Sequence, residues 1–154
     1  MSAELDSLAF SFFKLFAQYE YALKVMAYAS AGKQQQAEVD WDRFANEVGV
    51  AIMNIDDPAI VQARQYILDH PPKRQVWVDG AVDWEAIPNK ERSPQILFSH
   101  IRRVRNNLYH GGKFNGRWID PDRSHELMSK SLLLLQTLVS LDVRLSEAIH
   151  GNAN

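Results

Sequence analysis

Cysteine is missing altogether from the 154 residues. That excludes disulfides, thiolate zinc sites and cysteine nucleophiles, and it fits a reducing compartment. Long apolar runs are missing too. The most conspicuous, residues 132–135, falls far short of the roughly 20 residues of a membrane span. The N-terminal stretch MSAELDSLAF has no basic segment followed by an apolar one, so it does not read as a signal peptide. These absences point to a soluble cytoplasmic protein with no membrane partner. No HExxH or paired Glu-x-x-His pattern involves His70, His100, His110, His125 or His150, so no metal site is expected. A glycine-rich phosphate loop is also lacking, and with it any sign of a bound cofactor.

What is present is an ordinary globular composition, 46% hydrophobic and 23% charged, over a length that suits one domain spanning residues 1–154. The charge is uneven. Residues 1–89 carry 7 basic and 13 acidic side chains, whereas residues 90–123 carry 8 basic and 3 acidic. A short basic segment inside an acidic chain is either an anion-binding surface or a solvated helix face paired with acids elsewhere.

Helical periodicity dominates. Leu5, Ala9, Phe12, Phe16, Tyr19, Leu23 and Met26 alternate spacings of four and three, which predicts one long helix from Glu4 to about Ala31 with Gly32 as its stop. A second helix is expected from Asp40 or Asp42 to about Asn54. Asp57-Pro58 reads as a cap with proline just inside, opening a helix to His70. Ser93-Pro94 repeats that signal, and Leu97, Ile101, Val104 and Leu108 form the buried stripe of the helix that follows, stopped by Gly111-Gly112. The last helix is expected from Pro121 or Ser124 to Ile149, on a stripe of Leu127, Ser131, Leu134, Leu138, Leu141 and Leu145. Between Pro71 and Pro94 the pattern weakens, and Asp79-Gly80 suits the turn of a small hairpin at 75–85. Trp41, Trp77, Trp84 and Trp118 are expected to pack in the core or in that insertion. The fold class expected is all-α: an antiparallel four- to five-helix bundle with that hairpin as its one departure.

The residues that could do chemistry lie in Arg102-Arg-Val-Arg-Asn-Asn-Leu-Tyr-His-Gly-Gly-Lys113. At about 100° per residue, Arg105 falls roughly 70° from the centre of the apolar stripe, at the edge of the core face. Asn106 and His110, one turn apart, fall roughly 150–170° away. They are therefore expected to face solvent, a substrate or a second subunit. Arginine can grip a phosphate in two places and an imidazole can move protons, so the trio makes a phosphate site chemically sensible. Spacing alone would not distinguish it from a surface arginine and histidine near a helix end.

The run Arg105-Asn-Asn-Leu-Tyr-His110 resembles the signature of the HEPN family: an arginine, a polar residue, a few more residues, then a histidine, late in a helical chain. Phe16-Ala-Gln-Tyr-Glu-Tyr-Ala-Leu-Lys24 is similar to the opening helix of such domains, and Glu20 is the nearest match to the polar residue that often faces their active site. The resemblance implies a four-helix bundle that pairs as a homodimer, with the Arg–His motifs of both subunits meeting in one cleft. It implies metal-independent endoribonuclease activity of the toxin–antitoxin or antiviral kind, with RNA as substrate and an antitoxin or other protein as a further partner. Arg105, Asn106 and His110 would then be catalytic, while Arg102, Arg103, Lys113 and Glu20 would serve substrate binding. The alternative is a non-catalytic member that binds a nucleotide or a partner protein. In one subgroup a tyrosine two residues after the histidine is modified by a partner nucleotidyltransferase. Here that position is Gly112, which puts such control in doubt.

Overall fold

The computed structural model describes residues 2–88, 90–111, 113 and 116–151. Its helices begin where local chemistry dictates. In α1 (Ser2–Val25) the expected stripe is the buried face, with Phe12, Phe16, Tyr19 and Leu23 in the core. Helix α2 (Trp41–Glu47) is capped by the Asp40 carboxylate, which accepts from the Arg43 amide at 3.1 Å, and it tightens into a 3-10 segment, Gly49–Asn54. The Asp57 carboxylate accepts from the first amides of α3 (Pro58–Asp69). Ser93 does the same for α4 (Pro94–Tyr109), its hydroxyl accepting from the Ile96 amide. Helices α5 (Pro121–Leu141) and α6 (Val143–Ile149) complete the helical set. Among the described residues, no helix is long and apolar enough to cross a membrane.

The all-α expectation is corrected. Two antiparallel two-stranded sheets sit among the helices, so the fold is mixed α/β. The first pairs β1 (Ala29–Ala31) with β2 (Ala37–Val39) in residues expected to be helix end and loop. Helix α1 stops at Val25 because Ala27 takes a left-handed conformation, φ 67°, which reverses the chain and drops Tyr28 into the core. The Arg43 guanidinium donates to the Ala27 carbonyl and lies over the Tyr28 ring at 4.9 Å, fixing that reversal. The second sheet pairs β3 (Arg74–Val78) with β4 (Ala81–Glu85) around Asp79-Gly80, both at positive φ as a tight hairpin turn requires. Its root is tied to the helices by two side chains. The Asn107 amide of α4 donates to the Lys73 carbonyl at 2.9 Å, and the Arg123 guanidinium of α5 donates to the Pro71 carbonyl at 3.0 Å.

The bundle is not uniformly antiparallel either. Glu4 approaches His125 at 3.9 Å near the starts of α1 and α5, and further along both helices the Tyr19 hydroxyl donates to the Leu135 carbonyl. These neighbouring helices therefore run in the same direction. The expected last helix is broken at Asp142, whose carboxylate caps α6 by accepting from the Leu145 amide at 2.8 Å. The break turns Leu141 out to 50% exposure, whereas Leu127, Leu134, Leu138 and Leu145 stay buried.

The core is aromatic where α1, α2 and α4 meet. Phe44 stands edge-on to Phe98 at 5.3 Å, and Trp41 lies against Phe16 at 5.3 Å. Trp41 is buried as expected, Trp84 and Trp118 are half-buried, and Trp77 is out on the hairpin at 72% exposure.

Candidate anion-binding site on helix α4

The core side of α4 is Leu97, Phe98, His100, Ile101, Val104 and Asn107. Its other side is polar and strongly basic. Ser99, Arg102, Arg103 and Asn106 fall at spacings of three, four and seven, so they share a face. With Trp41 and Arg105 they line an open depression of about 320 Å3.

Each of two arginines rests on an aromatic face supplied by another helix. The Arg102 guanidinium lies 5.7 Å from the Trp41 ring centre, and that of Arg105 lies 4.7 Å from Phe16. Arg105 also reaches Glu20 of α1, with 3.7 Å between the guanidinium and the carboxylate, both half-buried. Stacking holds the planes of both guanidiniums while leaving their edges for an acceptor. The Nε atoms of Arg102 and Arg105 are buried without a hydrogen-bond partner.

The depression is electrostatically loaded. Burial pushes the Arg102 pKa down, and Arg105 and Arg103 push the same way, against Asp42 and Glu20. The Arg103 pKa is lowered by burial and then by Arg74 of the hairpin. Arginine keeps its proton regardless. The shifts therefore register burial of the guanidiniums first, with repulsion from neighbouring arginines as a smaller contribution.

His110 lies one turn beyond Asn106, at the end of this face. It is the residue that ends α4, its amide donating to the Asn106 carbonyl at 2.9 Å, and Gly111 beyond it is left-handed at φ 78°. Gly112, expected to share in that stop, lies outside the described residues. The imidazole is exposed, and the Tyr109 ring stands edge-on to it at 5.2 Å. Asn106 and His110 do share the exposed face, but His110 does not line the depression that holds Arg105. Lys113 is elsewhere as well. Its ammonium sits 4.6 Å from the Trp84 ring centre, beside a separate small cavity with Lys73 and Arg123.

The chain thus gathers Arg102, Arg103, Arg105 and Asn106 with Glu20, leaves His110 on the adjoining rim, and sends Lys113 to another place. Sequence reading missed Ser99, Trp41 and Phe16 as members of the site. Ser99 could have been found from its helical spacing to Arg102 and Asn106. The two aromatic rings carried no such signal, because their positions depend on how α1 and α2 pack against α4. Compared with known proteins, the chain matches no family model, no curated protein and no solved structure.

Proposed function

We propose that this chain is a metal-independent endoribonuclease of the HEPN kind, working in the cytoplasm in a toxin–antitoxin or antiviral role. One observation carries the reading. Arg105 is held by Phe16 and Glu20 at an open basic depression shared with Asn106, one turn before the exposed His110.

In this reaction the 2′-hydroxyl of RNA attacks the adjacent phosphorus. The new bond is O2′–P, the bond broken is P–O5′, and the products are a 2′,3′-cyclic phosphate and a 5′-hydroxyl. A base takes the 2′ proton and an acid supplies one to the leaving 5′ oxygen, and His110 is suited to either duty. Arg105 stabilises the extra negative charge on the phosphorane-like transition state. Asn106 orients the phosphate or the imidazole, and Arg102 and Arg103 position the strand through its phosphates.

A homodimer completes the scheme. His110 stands outside the depression of its own chain, so a second copy brought against this face would supply the imidazole that the depression lacks. The adjoining surface suits such a contact, since Phe10, Phe13 and Tyr109 are exposed around one apolar groove.

The rival reading is a non-catalytic domain that binds a nucleotide or a partner protein through the arginines. The separation of His110 from the arginine depression favours it. Incubating the protein with RNA and with DNA of the same sequence in EDTA separates the two. Cleavage of RNA alone, leaving cyclic phosphate ends, supports the enzyme. Tight binding with no cleavage supports the rival.

A further inference from the structure

A second basic feature lies on the other side of α4 from the arginine depression. Val104, Asn107 and Leu108 of α4, Ser124, Leu127 and Met128 of α5, and the hairpin root at Pro72 and Lys73 enclose a small cavity. Three cations surround it: Lys73, Lys113 and Arg123. None of them forms a salt bridge among the described residues; the one carboxylate that acts on Lys113 is Asp120.

The fold holds the two half-buried cations and the backbone of Lys73, whose side chain is exposed. The buried Asn107 side chain grips the Lys73 carbonyl, Arg123 donates to the carbonyl of Pro71, and Lys113 is seated over Trp84. Their mutual repulsion is visible. The Lys113 pKa is lowered by burial first, then by Arg123, and by Lys73 after the opposing pull of Asp120. Three cationic residues lining one half-open cavity, with no salt bridge to any of them among the described residues, make an arrangement that an anion stabilises.

Size narrows the ligand. The cavity is about 20 Å3, room for about one water-sized group. A whole phosphate does not fit inside, but one phosphoryl oxygen does, with the rest of the group at the mouth between Lys73 and the two half-buried cations. Position narrows it further. Arg74 acts on Arg103 of the first depression, and its chain neighbour Lys73 acts on Lys113 of the second. The hairpin root therefore lies between the two sites, with Arg74 itself paired to Glu85 at 2.9 Å.

We propose that the cavity between α4, α5 and the β3–β4 hairpin is a phosphoryl subsite, in which Lys73, Lys113 and Arg123 hold one backbone phosphate of the same strand that is bound further along at Arg102, Arg103 and Arg105. The assignment of that phosphate to RNA rests on the function proposed above; the phosphoryl chemistry does not.

The test reads binding without cleavage, so the two ideas fail separately. A labelled single-stranded RNA with 2′-O-methyl groups throughout cannot be cut by 2′-hydroxyl attack, and its affinity is measured by anisotropy across a salt series. Lys73→Ala and Lys113→Ala are each expected to weaken binding and to flatten the salt slope, and the double variant to flatten it by about 0.7 in all, the contribution of one phosphate on a single strand. Arg123→Lys keeps the charge and is expected to keep the slope. Lys33→Ala, in the connection between β1 and β2, serves as the control and is expected to change nothing. Inorganic phosphate and adenosine monophosphate form the second arm. If they raise the melting temperature of the wild type but not of the Lys73→Ala/Lys113→Ala double variant, while the RNA slope is the same for both, the subsite stands and its ligand is a free phosphate. If the double variant matches the wild type in salt slope and in its response to phosphate, the proposal is wrong.

Discussion

The Arg105 guanidinium lies 3.7 Å from the Glu20 carboxylate, and this pair ties α1 to α4 at the edge of the basic depression. Glu20 therefore does two opposed things. It holds the guanidinium in place, and it competes for it with any anion that arrives. Glu20→Gln removes the competition and raises the local positive charge by one. The variant is expected to bind RNA more tightly than the wild type and with a steeper salt dependence. Its stability should change by no more than about 1 kcal/mol, because the pair is only half-buried. A loss of binding as large as that caused by Arg105→Ala would mean that Glu20 itself touches the ligand.

The buried His100 gives the protein an acid-sensitive core. It is 2% exposed, and neither ring nitrogen has a hydrogen-bond partner. Burial, reinforced by Arg103, lowers its pKa from 6.5 to about 4. As pH falls, the unfolded chain takes up the proton first. Stability is full above about pH 6.5 and drains away toward pH 4, by about 3 kcal/mol in total. His100→Leu, of similar volume, is expected to remove that part of the pH dependence and to be neutral or stabilising at pH 7. Denaturant melts of both proteins between pH 4 and pH 7 check this. Equal slopes against pH would show that His100 is not the group responsible.

Gly49 is required by the aromatic core. A Cβ at this position would stand 2.5 Å from the Phe98 ring, which is itself fixed against Phe44 and Trp41. Gly49→Ala is expected to cost about 1–3 kcal/mol through overpacking. Thermal unfolding reads it directly. A melting temperature equal to that of the wild type would mean that the ring can move aside.

Local signals in the sequence located the helix starts well. Asp57-Pro58 and Ser93-Pro94 open α3 and α4 because a cap and its proline act within one turn. The ends were harder. The stripe of α1 continues to Met26, but the chain reverses at Ala27, an alanine where a left-handed residue is usually glycine. The β1–β2 hairpin then follows in three-residue strands too short to show an alternating pattern. At Asp142 the leucine stripe masked a break, although an aspartate three residues before Leu145 has the chemistry of a cap. The polar face of α4 was legible from its period, so Asn106 and His110 are exposed and Arg105 sits at the core edge. The partners of Arg105 and the place of Lys113 were not, because Phe16, Glu20, Trp84 and Lys73 come from other elements.

In the proposed reaction His110 transfers protons during RNA cleavage. The initial rate of RNA cleavage in EDTA, taken for wild type and His110→Ala side by side, puts that role to the test. His110 is exposed at the end of α4, so the variant is expected to fold and melt like the wild type. Its rate is expected to fall about 100- to 10,000-fold, the usual worth of general acid–base help. A folded His110→Ala protein that cuts RNA as fast as the wild type would contradict the account.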